Sequence, residues 1–263
     1  SMESAHWNPL DEIEIGSATE VADVQNLATL IVDPDGQGLN SHWQKTSQAL
    51  LVGVILHAMY QSRQTGVPAT LSTVDLMLSN PDQSIRGLWM DMAMQEFVDG
   101  KSHPVIAATA RDMLDRPEEE AGSVLSTAKS YLSLYRDPIV ASNISASDFR
   151  IRDLMHHDNP VSLYIVTHPN DKSRLRPLIR ILVNMIIRKL ADKITFVAGQ
   201  PTAHYKHKLL LMLDEFPSLG KLEILQESLA FIAGYGIKAY LICQDINQLK
   251  SREMGYGHDE TIT

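Results

Sequence analysis

Leu209-Leu210-Leu211-Met212-Leu213-Asp214-Glu215-Phe216-Pro217 is the stretch that decides the fold. A short apolar run passes straight into two adjacent carboxylates. Such a run, bounded by turn residues, predicts a strand buried on both faces. Pro217 cannot continue a central strand, so the strand ends near Asp214. The two acids then lie at a carboxyl end, the edge where open parallel sheets bind ligands. There the first acid can hold Mg²⁺, directly or through water. The second can orient and deprotonate an attacking water in phosphoryl transfer. This is the pattern of a Walker B strand. A simpler reading stays open, in which the acid pair only caps the next helix.

Working outward, the strand has neighbours of the right spacing. Val161-Ser162-Leu163-Tyr164-Ile165-Val166 is β-rich. Residues 171–191 predict a helix with Leu178, Ile181, Leu182, Met185 and Ile186 on one face. Residues 208–213 form the second strand, 221–233 a helix closed by Gly234 and Gly236, and 237–243 a third strand. A short helix to about Arg252 follows Gln244-Asp245. Strand, helix, strand, helix, strand at these spacings implies a parallel sheet with crossover helices. Asp214 and Gln244 then fall at the same edge. A glutamine amide there can donate to a phosphate and position water, as a γ-phosphate sensor does. Alternatively Gln244 caps the helix that follows. Cys243 reads as an inert buried thiol.

The first half has a different texture. Residues 20–31, 41–61, 70 onward, 85–98, 104–114 and 116–135 predict helices joined by short loops, with no good strand. In the second of these, Leu51, Val54, Ile55 and Ala58 mark one buried face. His57 there reads as a packed or surface histidine rather than a ligand. The methionines of 85–98 read as core filler. Two glycine-bearing stretches imitate phosphate loops. Asp33–Gly38 has no lysine at the required spacing. Gly100-Lys101-Ser102 has Gln95 where the motif needs its first glycine, and a helix rather than a strand precedes it.

Composition sets the class. The 263 residues are 44% hydrophobic and 21% charged, as in an ordinary globular protein. A net charge of −9 argues against a generic nucleic-acid coat but allows a local basic groove. One cysteine, Cys243, excludes a disulfide framework and a cysteine metal site. No apolar run approaches the length of about 18 residues a membrane span needs. Ser1-Met2 reads as a residual expression tag, and the sequence as a piece of a longer one. The expected fold is α/β: a partial RecA-like parallel sheet with crossover helices plus an inserted all-α domain. The expected boundaries are 1–18, a segment leading from another part of the sheet domain; 19–137, all-α; and 138–263, nucleotide-binding.

Residues 211–222 resemble the Walker B region of the type IV secretion coupling proteins, the TraG/VirD4 group. So do Gly234-Tyr235-Gly236-Ile237-Lys238 and Gln244-Asp245-Ile246-Asn247-Gln248-Leu249 in their turn. Val161–Tyr164, Asp171–Pro177 and Trp7-Asn8-Pro9-Leu10 continue the likeness, which is strong from about 138 and looser before it. The resemblance implies an inner-membrane hexameric ATPase using ATP and Mg²⁺. It would recruit a relaxase and accessory relaxosome proteins and pass single-stranded DNA to secretion channel subunits. It would work at the cytoplasmic face of a bacterial inner membrane, the parent being membrane-anchored and these residues a soluble piece, itself a monomer. By the resemblance, Asp214 matches the Mg²⁺-binding acid, Glu215 the catalytic glutamate and Gln244 the sensor. The sequence lacks a Walker A motif, so these residues alone are expected to be inactive. Two other readings stay open: another RecA-like DNA translocase, and, for these residues alone, a non-catalytic protein-binding adaptor.

Overall fold

The computed structural model describes residues 3–97, 100–191, 195–197, 200–202, 204–250 and 256. They form two compact units, one of residues 1–33 and 38–149 and one of residues 34–37 and 150–263. The helical unit thus runs past the expected change at 138 and takes in the N-terminal segment. There Asn8 is fully buried, and its side chain donates to the Ala69 carbonyl at 2.7 Å and accepts from the Leu10 amide at 3.1 Å. Trp7 is buried beside it, its amide bonded to the Asn143 carbonyl at 2.9 Å.

The helical unit contains α1 (Glu20–Val32), α2 (His42–Thr65), α3 (Leu71–Ser79), α4 (Ile85–Met94), α5 (Pro104–Asp115), α6 (Glu118–Leu132) and α7 (Pro138–Asn143). Ser41 and Thr70 each cap the following helix with a capping box, which satisfies orphan amides of the first turn. α2 is the central rod, with α1, α3, α5 and α6 packed on it. Its residues 50–60 are buried all round, not on one face as expected. A helix apolar on every side belongs inside a bundle. Gly53 lets α5 come close, since a Cβ there would overlap the Thr109 side chain. α4 stops at Met94 rather than Val98. Met92 is buried, but Met90 and Met94 are 52% and 78% exposed, so they are not core filler.

One polar cluster lies inside this unit. The Glu20 carboxylate accepts from Tyr60 Oη at 2.9 Å and from the Gly16 amide at 2.7 Å. His103 Nε2 lies 3.1 Å from it, while Nδ1 accepts from the Val105 amide, which fixes the tautomer with the proton on Nε2. His57, nearby on α2, is 0% exposed with neither ring nitrogen hydrogen-bonded. Its ring meets Phe97 edge-on at 5.6 Å.

The second unit contains α8 (Asp153–His156), α9 (Lys172–Leu190), β1 (Thr195–Val197), β2 (Gln200–Thr202), β3 (Leu209–Leu213), α10 (Glu223–Ser228), β4 (Ile237–Leu241) and α11 (Ile246–Lys250). β3 and β4 pair in parallel with Leu209 opposite Ile237, as their apolar runs predict. β1 and β2 form an antiparallel pair that sequence reading did not anticipate. Three expectations need correction. Residues 161–166 are not a strand: Tyr164 and Val166 are 84% and 87% exposed. A ladder needs a neighbour at about 4.8 Å, and a groove of about 590 Å³ opens between this segment, α9 and β3. β3 is buried on one face only, with Leu211 and Leu213 inside and Leu210 and Met212 more than half exposed. The helix expected over 221–233 is shorter, ending at Ser228 before a 3-10 turn at Ile232–Tyr235.

Candidate functional site

The carboxyl end of the β3–β4 pair carries all three residues singled out by sequence. Backbone bonds continue past the ladder and fix that end. The Ile242 amide donates to the Leu213 carbonyl at 3.0 Å, and the Phe216 amide donates to the Ile242 carbonyl at 2.9 Å. These bonds hold the turn after β3 against the segment after β4. Glu215 and Gln244 are thereby brought together, and Gln244 Nε2 donates to Glu215 Oε2 at 2.9 Å.

Glu215 stands in the left-handed region, at φ 54° and ψ 42°, as no other described non-glycine residue does. That conformation costs an L-residue about 1–2 kcal/mol. It also breaks the extended backbone at the end of the strand. Asp214 is exposed and makes no hydrogen bond or ion pair among the described residues. A lone hard-oxygen ligand at a strand end suits Mg²⁺, which keeps several waters and takes one or two carboxylates.

The loop after the acid pair is pinned from below. Phe216 is buried and stacks on Tyr256 at 5.2 Å and 21°. Burial pushes the Tyr256 hydroxyl up to about 12, so it stays protonated. Phe216–Leu219 is a single 3-10 turn closed by Gly220, whose φ 69° and ψ −171° only glycine adopts freely. Arg180, on α9 and 2% exposed, donates to the Leu219 carbonyl at 2.6 Å and the Lys221 carbonyl at 2.8 Å. Sequence reading passed over Arg180. Its signal was a basic residue inside the apolar stripe of a strongly amphipathic helix.

The two stretches that imitate phosphate loops have other uses. Gly100-Lys101-Ser102 belongs to the helical unit, where the Lys101 carbonyl accepts from the Phe97 amide at 3.0 Å. Gly36 belongs to the second unit, against Lys221 and Arg180.

A helical unit, together with a second unit whose parallel strands end in an acid pair met by a glutamine amide, defines a class: partial RecA-like α/β folds with an all-α part. The chain belongs to the Type IV secretory system Conjugative DNA transfer family, which matches residues 1–263. It is 73% identical over 260 residues to a Conjugal transfer protein TraG of Escherichia coli, covering 99% of this chain and 41% of that one. Protein VirD4 of Agrobacterium fabrum (strain C58 / ATCC 33970) is 34% identical over 118 residues, 45% of this chain and 16% of its own. Among solved structures, plasmid coupling protein TrwB in complex with ADP and Mg²⁺ gives a TM-score of 0.67 at 21% identity. That match covers 98% of this chain and 53% of TrwB. The chain thus spans about two fifths of the length of its TraG relatives. The fold is the expected partial RecA-like α/β fold with an all-α part. Among the described residues no helix is long and apolar enough to cross a membrane.

Proposed function

We propose that these residues are the Walker B half and the inserted all-α domain of a conjugative coupling ATPase. The observation that carries this is the Asp214-Glu215 pair at the end of β3, with Gln244 Nε2 2.9 Å from Glu215 Oε2. Asp214 would take Mg²⁺. An Mg²⁺ held by Asp214 would supply positive charge against the charge that develops on the phosphates. Glu215 accepts the proton of the attacking water, and Gln244 holds the Glu215 carboxylate in place and offers its second amide proton to phosphate. TrwB has been solved with ADP and Mg²⁺ and with the GTP analogue GDPNP, which supports nucleotide use in the longer protein. The cradle for the β- and γ-phosphates would come from outside this sequence, so the 263 residues alone bind nucleotide poorly and do not turn it over.

The helical unit is read as the adaptor that recognises a relaxase or accessory relaxosome protein. Its α5–α6 surface carries Glu118 and Glu119 next to Asp112, Asp115 and Glu120, which pair with Arg116 and Arg111. Such a surface favours a basic protein over bare DNA. The longer protein would be a homohexamer anchored in the inner membrane. It would pass single-stranded DNA to the secretion channel.

Steady-state ATPase of a full-length coupling protein containing this sequence tests the site. Glu215→Gln should bind ATP normally and hydrolyse it about 10²–10⁴-fold more slowly. Near-normal turnover would reject Glu215 as the base, and clear turnover by the 263 residues alone would reject the need for an outside cradle. Pull-down at moderate salt tests the adaptor role, which fails if the unit binds naked single-stranded DNA and no relaxosome protein.

A further inference from the structure

We propose that Arg180 is a positioning residue for the catalytic carboxylate. It acts through the loop that follows Glu215, and the proposal rests on the reading of Glu215 as the base. The loop is one 3-10 turn, closed from within by the Ser218 amide on the Glu215 carbonyl at 2.9 Å and the Gly220 amide on the Pro217 carbonyl at 3.0 Å, but both of its ends have unfavourable backbone. It begins with Glu215 in the left-handed region and ends with Gly220 at a backbone geometry closed to other residues. Both ends therefore need an outside anchor if the turn is to keep one shape. At the front the anchor is Phe216, buried on Tyr256 and bonded through its amide to the Ile242 carbonyl. At the back it is Arg180.

A single guanidinium nitrogen, Nη1, spans the two carbonyls on either side of Gly220. A buried charge bonded to carbonyls is costly to leave unmet, so the loop cannot lift away without stranding it. The second nitrogen, Nη2, faces Gly36. A Cβ on Gly36 would overlap the Lys221 carbonyl and come within 2.6 Å of Nη2. A Cβ on Gly220 would lie 3.3 Å from Nη1 and 3.2 Å from the Asp35 carbonyl. Arg176, one turn before Arg180, pairs with Asp35 and so holds the neighbouring segment of residues 34–37, whose Asp35 carbonyl faces Gly220. Two glycines of positive φ and two arginines thus meet around one turn, which is more than packing a short connection requires. The clamp sits on α9, a rigid element, and fixes the reach of the Glu215 carboxylate to the water it activates. A catalytic group misplaced by about 1 Å can lose a hundredfold in rate.

Two perturbations release the clamp by different means. Arg180→Met removes the donor and keeps the stem. Gly36→Ala leaves the donor and forces the carbonyl away from it. In a full-length protein containing this sequence, each should lower kcat about 10- to 100-fold. Each should leave the Kd for ATP within about threefold, since the ground-state nucleotide contacts are untouched. Arg180→Lys should recover part of the loss. The decisive comparison is in a Glu215→Gln background, where Arg180→Met should cost little further, because the group it positions is already gone. Wild-type kcat in either variant overturns the proposal. So does an equal loss with and without Glu215, or a parallel loss of ATP binding, either of which means that Arg180 is only structural. If Arg180→Met does not fold, Gly36→Ala decides by the same readings. Should Glu215→Gln alone keep full turnover, it is the base assignment that fails, a separate outcome.

Discussion

His57 offers a prediction whose size follows from the structure. The ring is fully inside the helical unit with neither nitrogen hydrogen-bonded. Loss of solvation pushes its pKa down from 6.5 to about 4, and the Asp91 carboxylate pulls only weakly the other way. In the unfolded chain the imidazole titrates near 6.5, so between that value and about 4 the unfolded state binds the extra proton. Stability therefore rises with pH across this window. It is fully present above about pH 6.5 and is lost as pH falls through the folded value. From pH 8 to pH 5 the loss comes to about 2 kcal/mol, growing to about 3 kcal/mol below pH 4. Carboxyl groups ordinarily titrate near pH 4, so the informative quantity is the difference from His57→Leu, which cannot titrate. Urea unfolding followed by tryptophan fluorescence isolates the right unit, since Trp7, Trp43 and Trp89 all belong to it. The wild type should lose about 2 kcal/mol more than His57→Leu between pH 8 and pH 5. If the two lose stability in parallel, His57 protonates as readily folded as unfolded, and the account of a buried ring without partners is wrong.

Three further outcomes are expected. Glu215→Gly should raise stability by about 1 kcal/mol by relieving the left-handed backbone while abolishing turnover of the longer protein; a calorimetric or circular dichroism melt showing destabilisation would mean another residue sets that geometry. Gln244→Ala should change stability by less than about 0.5 kcal/mol, because the residue is exposed, yet slow hydrolysis on the order of 10²-fold; unaltered kcat would leave Gln244 a mere cap. Arg136→Met should destabilise the helical unit by roughly 2 kcal/mol. It strands the buried Asp75 carboxylate that now accepts from Arg136 at 2.7 and 2.8 Å, and Asp75→Asn in the same background should restore much of the loss.

How much of this was legible in the sequence depended on how local the cause was. β3 and β4 were readable because their apolar runs end in residues that stop a strand, and because a parallel pair needs a crossover of the length found between them. The helix start at residue 70 was readable for the same reason, since an N-cap threonine acts on amides within its own first turn. Val161–Val166 has strand composition, but a strand exists only with a partner, and a partner is not a local property. For α2 the apolar periodicity pointed to one face; the neighbours that cover the others lie far along the chain. At the site, Asp214, Glu215 and Gln244 declared themselves by residue type at strand ends. Arg180 and Gly36 did not, because their role lies in a convergence of three distant segments on one pair of carbonyls.

The β3–β4 pair has a consequence for how the molecule behaves in solution. Leu210, Met212 and Tyr240 stand on its outer face, each more than half exposed. Each forgoes about 1–2 kcal/mol by staying in water, and a two-stranded ladder is marginal without cover on a second side. Beside them, the outer edge of β3 has no strand paired to it among the described residues. Apolar side chains next to open backbone donors and acceptors are the ingredients of adhesion between copies. This patch is one contributor to colloidal behaviour, beside other exposed apolar side chains such as Met94, Tyr164 and Val166. A charged residue at position 210 or 212 would change the concentration at which the protein stays dispersed, without touching a single residue of the buried core.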